Sequence, residues 1–165
     1  MPQEFNLQSA LKHAAQTEKN VMDFYLRAAD IVKNPKAKKV FELLAKEERD
    51  HVSHVFPLYE GEDLGTFDEF ISSPPHPDTV MLKELEKALN ENIHESKAME
   101  LALKEEEDLA KNLRITAEKI VDPMVRKVFE RLAKETEDHY AIIESEYAHV
   151  MGMVHETDID TYVRE

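Results

Sequence analysis

The segment that begins at Ala10 matches the segment that begins at Ala98 at a constant offset of 88 residues, without a gap. A tandem duplication of this kind makes the chain two copies of one supersecondary unit, which restricts its fold sharply. The match is densest where KNPKAKKVFELLAKEERDH (33–51) lies over VDPMVRKVFERLAKETEDH (121–139). Eleven of the seventeen positions from Pro35 to His51 are identical to their partners, among them Pro35 and Pro123, Phe41 and Phe129, Glu47 and Glu135, and His51 and His139.

Each copy reads as two helices broken at Asn34-Pro35 or Asp122-Pro123, where Asn or Asp caps and Pro takes the first helical position. The spacing predicts helices over 6–33, 35–59, 94–121 and 123–150. In the first, Leu7, Leu11, Ala14, Glu18, Val21, Tyr25, Ala28 and Val32 follow alternating steps of four and three, the seam of antiparallel bundle packing. The third repeats it with Met99, Leu103, Glu106, Ala110, Leu113, Ala117 and Ile120. Helix two offers Phe41, Leu44, Glu48, His51, Val55 and Leu58; helix four offers Phe129, Leu132, Thr136, His139, Ile143 and Glu146. Only three glycines, 42% apolar and 34% charged residues agree with an all-α fold, since a sheet needs more turn residues. At 165 residues the chain is expected to be a single domain.

Between the copies, residues 59–78 carry two of the three glycines and a proline cluster, and are expected to form an irregular crossover. Residues 79–92, with Val80, Leu82, Leu85, Ala88 and Leu89, read as a short extra helix packed on the bundle or on a partner. Asn90 and Asn92 suggest a break before helix three. The polar residues after Gly152 are expected to form a C-terminal tail, at most one short helix. A long crossover between two hairpins is the connection of the ferritin-like topology.

A net charge of −14 opposes nucleic acid and anionic lipid. With no cysteine, any metal must be held by oxygen and nitrogen. The N-terminal residues lack a basic stretch followed by an apolar run, and no window approaches the roughly 20 apolar residues that span a bilayer. A cytoplasmic protein is expected.

Ionisable residues interrupt every seam near its centre. An ionised carboxylate there costs several kcal/mol unless protonation, a counter-charge or a metal neutralises it. Pseudo-twofold symmetry brings Glu18, Glu106 and the pair Glu48/His51 to one depth. The spacing Glu48-x-x-His51 lets an oxygen and an imidazole nitrogen converge on one ion, and His139 enters from the opposite side.

These residues resemble the rubrerythrin and ferritin-like di-iron carboxylate superfamily, particularly members without a rubredoxin domain. The carriers are Glu18 in HAAQTEKNVMDFYLRAAD, Glu48 and His51 in FELLAKEERDHVSHV, Glu106 in LALKEEEDLAKNL and His139 in FERLAKETEDHYAII. The resemblance implies a ferritin-like four-helix bundle in which helices one and three each give a Glu and helices two and four each give Glu-x-x-His to two iron ions. It implies peroxide or dioxygen as oxidant and, with no cysteine present, electrons from a separate donor protein. The metal ligands carry the chemistry, with no covalent nucleophile. It also suggests a homodimer, as do the apolar residues of 79–92.

The departure is Thr136 in place of the second copy's Glu. Five ligands remain, so an asymmetric site is expected, tighter near Glu48 and His51, holding two irons or a single metal, with Mn or Zn as alternatives to Fe. Glu135, one residue earlier, is a candidate to fill the gap. His54 is a further candidate ligand and Tyr25 a candidate hydrogen-bonding or electron-relay residue, each with a packing or surface role as its alternative. Glu91 and His94 spell a second E-x-x-H outside the repeated core. Met22 and Met99 read as core filler. Three functions follow: peroxide or dioxygen reduction, metal binding or ferroxidation without fast turnover, and a structural bundle with a decayed site.

Overall fold

The computed structural model describes residues 5–76, 79–90 and 95–163. Among them are six α-helices, one short 3-10 helix and no strand. Helix α1 (Leu7–Ile31) and α2 (Pro35–Val55) form the first hairpin; α5 (Glu95–Lys119) and α6 (Pro123–Val163) form the second. The bundle is ferritin-like, with a crossover containing α3 (Phe67–Ser72) and α4 (Val80–Asn90) between the hairpins. No described helix is long and apolar enough to cross a membrane.

Both hairpin turns follow from capping chemistry. Asn34 Oδ1 accepts from the Lys36 and Ala37 amides, and Asp122 Oδ1 accepts from those of Met124 and Val125, so each satisfies donors that the first helical turn leaves unpaired. Pro35 and Pro123 follow at positions where a missing N–H costs nothing. The heptad-like seams then close on one another. Leu11, Val21, Tyr25, Phe41, Leu44, Met99, Leu113, Phe129, Leu132 and Ile143 are buried, with Met22 among them as expected of filler. Leu7, Leu58 and Leu103 are only partly covered at the seam ends.

Three boundaries differ from the expectation. Helix α2 stops at Val55 and tightens into a 3-10 turn over Phe56–Leu58, because Pro57 has no amide to continue the α ladder. The crossover is not wholly irregular. Thr66 and Glu69 form a reciprocal capping box that starts α3, preceded by Gly65 in a left-handed conformation (φ 75°). Phe70 is buried, stacks on Phe56 and pins this segment to the bundle. Finally, α6 does not end near residue 150 but runs to Val163. Gly152 lowers helix propensity by about 1 kcal/mol without stopping a helix, and no proline follows Pro123 to break it.

Helix α4 lies against α1 and α5, with Leu85 fully buried, Leu82 partly buried and Arg27 paired with Glu86. The apolar residues that suggested a partner therefore include two that cover the chain's own bundle. A buried ion pair anchors the middle of the crossover, just after α3. Lys19 Nζ lies 2.5 Å from Asp23 Oδ2 and donates to the Ser73 carbonyl at 2.9 Å.

Candidate metal centre

Glu18, Glu48, His51, Glu106 and His139 are all buried, and they come together where the four seams cross. All four long helices contribute: Glu18 from α1, Glu48 and His51 from α2, Glu106 from α5 and His139 from α6. His51 Nδ1 lies 3.4 Å from Glu48 Oε2 and 3.5 Å from Glu18 Oε2. His139 Nδ1 lies 3.2 Å from Glu48 Oε1 and 3.8 Å from Glu106 Oε1. Glu48 thus faces both histidines through different oxygens rather than sitting nearer His51. Glu48, His51 and His139 each offer one ligand atom, all within 4.8 Å of one another. The two imidazoles are stacked, centroids 5.1 Å apart and planes 8° from parallel.

Burial pushes the Glu18 carboxyl well above its usual range, and the neighbouring Glu48 charge pushes it further. Burial acts on Glu48 in the same direction, but its contacts with Glu18 and the two histidines outweigh that and hold it below the usual value. Burial alone would lower both imidazoles; the surrounding carboxylates instead raise His51 to about 11 and His139 to about 10. Without metal both rings therefore favour the imidazolium form, and burial favours the protonated form of Glu18.

Protons leave much of the cluster unsatisfied. Glu18 Oε1 and Oε2, Glu48 Oε2, His51 Nδ1 and Glu106 Oε2 are buried without a hydrogen-bond partner. Buried polar atoms are normally paired; among the described residues five of the six unpaired ones gather on four of the five predicted ligands, the sixth being Glu146 Oε1. Three carboxylates and two imidazoles form an oxygen and nitrogen donor set that suits iron, manganese or zinc. The residues fit a metal ion.

The other candidates divide. The Tyr25 hydroxyl is buried and donates to Glu106 Oε1, fixing that carboxylate. Burial, followed by the charges of Glu106 and Glu48, raises the Tyr25 phenol well above its usual value. His54 does not join the cluster: it is partly exposed, and its Nδ1 lies 2.7 Å from the carbonyl of Asp50 on its own helix. Thr136 is buried and donates its hydroxyl to the Leu132 carbonyl at 2.7 Å. Glu135 does not fill the gap Thr136 leaves; it lies on the outer face of His51, 2.9 Å from Nε2. Glu91 and His94 lie outside the described residues.

One contact is missing from the sequence reading. Glu47 Oε2 lies 2.5 Å from His139 Nε2, the symmetric counterpart of Glu135 on His51. The repeat carried the signal, since Glu47 and Glu135 are identical and aligned. Both carboxylates, with Asp50, Asp138 and Ile142, line an opening of about 230 Å³ that reaches the two rings from solvent.

A family model described as Rubrerythrin matches residues 6–147. No curated protein and no solved structure matches the chain.

Proposed function

The chain belongs to the rubrerythrin family, and from that premise we propose that it is a dinuclear iron carboxylate oxidoreductase that reduces hydrogen peroxide or dioxygen. The observation that carries this reading is the set of unpaired, buried donor atoms on Glu18, Glu48, His51 and Glu106. Glu18, Glu48, His51, Glu106 and His139 would hold the metal. Iron bound there supplies the electron pair that, with two protons, converts one peroxide to two waters. Tyr25 holds Glu106 in place by its hydrogen bond. The opening beside His51 and His139 is lined by four carboxyl side chains, which favours cations and neutral peroxide over anions.

The same reading gives the chain a separate electron-donor protein that returns the iron to the ferrous state. It also makes the protein a cytoplasmic homodimer with no nucleic acid or membrane partner, in keeping with a charge of −14.

Anaerobic ferrous loading followed by rapid mixing with peroxide tests it. Two irons per chain, oxidised by peroxide much faster than by dioxygen and with peroxide consumed in proportion, is the expected result. A second reading, iron binding or slow ferroxidation without turnover, is favoured by one observation. Thr136 gives its hydroxyl to the backbone, and the tightest grouping is the trio Glu48, His51 and His139, enough for one ion. One iron per chain and slow oxidation without peroxide consumption would support that alternative and overturn the peroxidase.

A further inference from the structure

The two copies have diverged at the inner carboxylate, Glu48 against Thr136, while keeping Glu47 with Glu135 and His51 with His139. In the fold these four residues pair across the hairpins rather than within them. Glu135 on α6 lies 2.9 Å from Nε2 of His51 on α2, and Glu47 on α2 lies 2.5 Å from Nε2 of His139 on α6. Each ring therefore turns its Nδ1 toward the buried carboxylates and its Nε2 toward a carboxylate at the solvent edge. A neutral imidazole has one N–H and one lone pair, so an acceptor at Nε2 sets the tautomer that leaves the Nδ1 lone pair facing inward.

We propose that Glu47 and Glu135 are positioning residues, which hold His139 and His51 across the hairpins with Nδ1 presented to the metal. This inference rests on the metal-binding reading above. Were the bonds only surface ion pairs, they would matter little. They differ because the ring each one grips is almost wholly buried, with side-chain exposures of 2% for His51 and 5% for His139. The carboxylates are themselves partly exposed, at 32% for Glu135 and 41% for Glu47. Loss of either leaves its ring bonded to water at the opening, free to tilt or change tautomer. The two grips are not equivalent. Glu135 also accepts from Arg131 at 2.9 Å, whereas the residue matching Arg131 in the first copy is Leu43. Glu135 is the better fixed of the two, and His51 the better held ring.

The test uses the full chain, cobalt(II) as the probe, and Ala and Gln variants of Glu47 and Glu135. Affinity is read by calorimetry under nitrogen, and the rings by the paramagnetically shifted, exchangeable imidazole N–H resonances of the cobalt-loaded protein. Glu47→Ala is expected to remove the resonance of His139, and Glu135→Ala that of His51, as the N–H exchanges with water. Affinity should fall roughly 10- to 100-fold in each. Glu47→Gln and Glu135→Gln, whose amide oxygen still accepts from Nε2, should keep the resonances and most of the affinity; being near-isosteric, they also carry the test if an Ala variant fails to fold. Parental affinity with both resonances intact in the Ala variants overturns the proposal. So does an equal loss in Gln and Ala variants, which would assign the effect to charge. Failure of the parent chain to bind cobalt is a different result, overturning the metal-binding reading and the positioning role with it.

Discussion

Glu48 is the residue on which the cluster turns, because its two oxygens face two histidines from opposite hairpins and both rings carry protons while metal is absent. Metal can take the Nδ1 lone pairs only by displacing protons. Filling the site at pH 7 should therefore release about two protons, one from each imidazole, and any held by Glu18 in addition. Calorimetry in buffers of different ionisation enthalpy measures that number, and affinity should rise with pH. The metal-free protein shows the opposite trend. The imidazole values are raised on folding, so their stabilising contribution is complete below about 6.5 and is lost as pH rises through about 10 and 11. Glu18 has the same sign: its value is raised, so the folded chain holds a proton that the unfolded chain releases, and stability falls as pH climbs above about 4.5. Glu18→Gln should accordingly stabilise the metal-free protein, by on the order of 1 kcal/mol at neutral pH and more at pH 9, while weakening metal binding. Denaturant melts at the two pH values check it.

Helix boundaries obey local chemistry wherever that chemistry is strong. Asn34→Ala and Asp122→Ala each remove the acceptor for two amides at a helix start, and each should cost about 1 kcal/mol in urea melts without altering metal affinity. Those starts were legible in the sequence because Asn-Pro and Asp-Pro interrupt a seam that otherwise runs on. The start of α3 was equally present in Thr66-x-x-Glu69, but the glycines and prolines around it masked a six-residue helix. The length of α6 was not legible, since a run of polar residues after Gly152 has no apolar stripe to reveal a helix. At the site, one-face spacing gave the five inward residues and Tyr25. It could not give Glu47 and Glu135, whose roles depend on a neighbouring helix rather than on their own. His54, one turn beyond His51, takes the alternative role weighed for it, a partly exposed helix histidine outside the cluster.

At the scale of the whole molecule, the 88-residue offset made the topology readable, because two matching hairpins with a long connection between them can bury their seams on one another. What the connection does was less visible. The Lys19–Asp23 pair and Phe70 fasten it to the bundle, and α4 covers part of α1 and α5. The hairpins meet at the cluster through opposed charges and unpaired acceptors rather than apolar contact alone, so a bound ion would draw all four long helices together and stabilise the native state by mass action. In the proposed centre the ion sits on the inner face of the rings. Anomalous diffraction from crystals soaked in ferrous or manganous salt locates it directly. Density is expected between Nδ1 of His51, Nδ1 of His139 and the oxygens of Glu48, with any second position nearby and less occupied because Thr136 gives its hydroxyl to the backbone. Density confined to the outer opening beside Glu47 and Glu135, or none at the cluster, would contradict it.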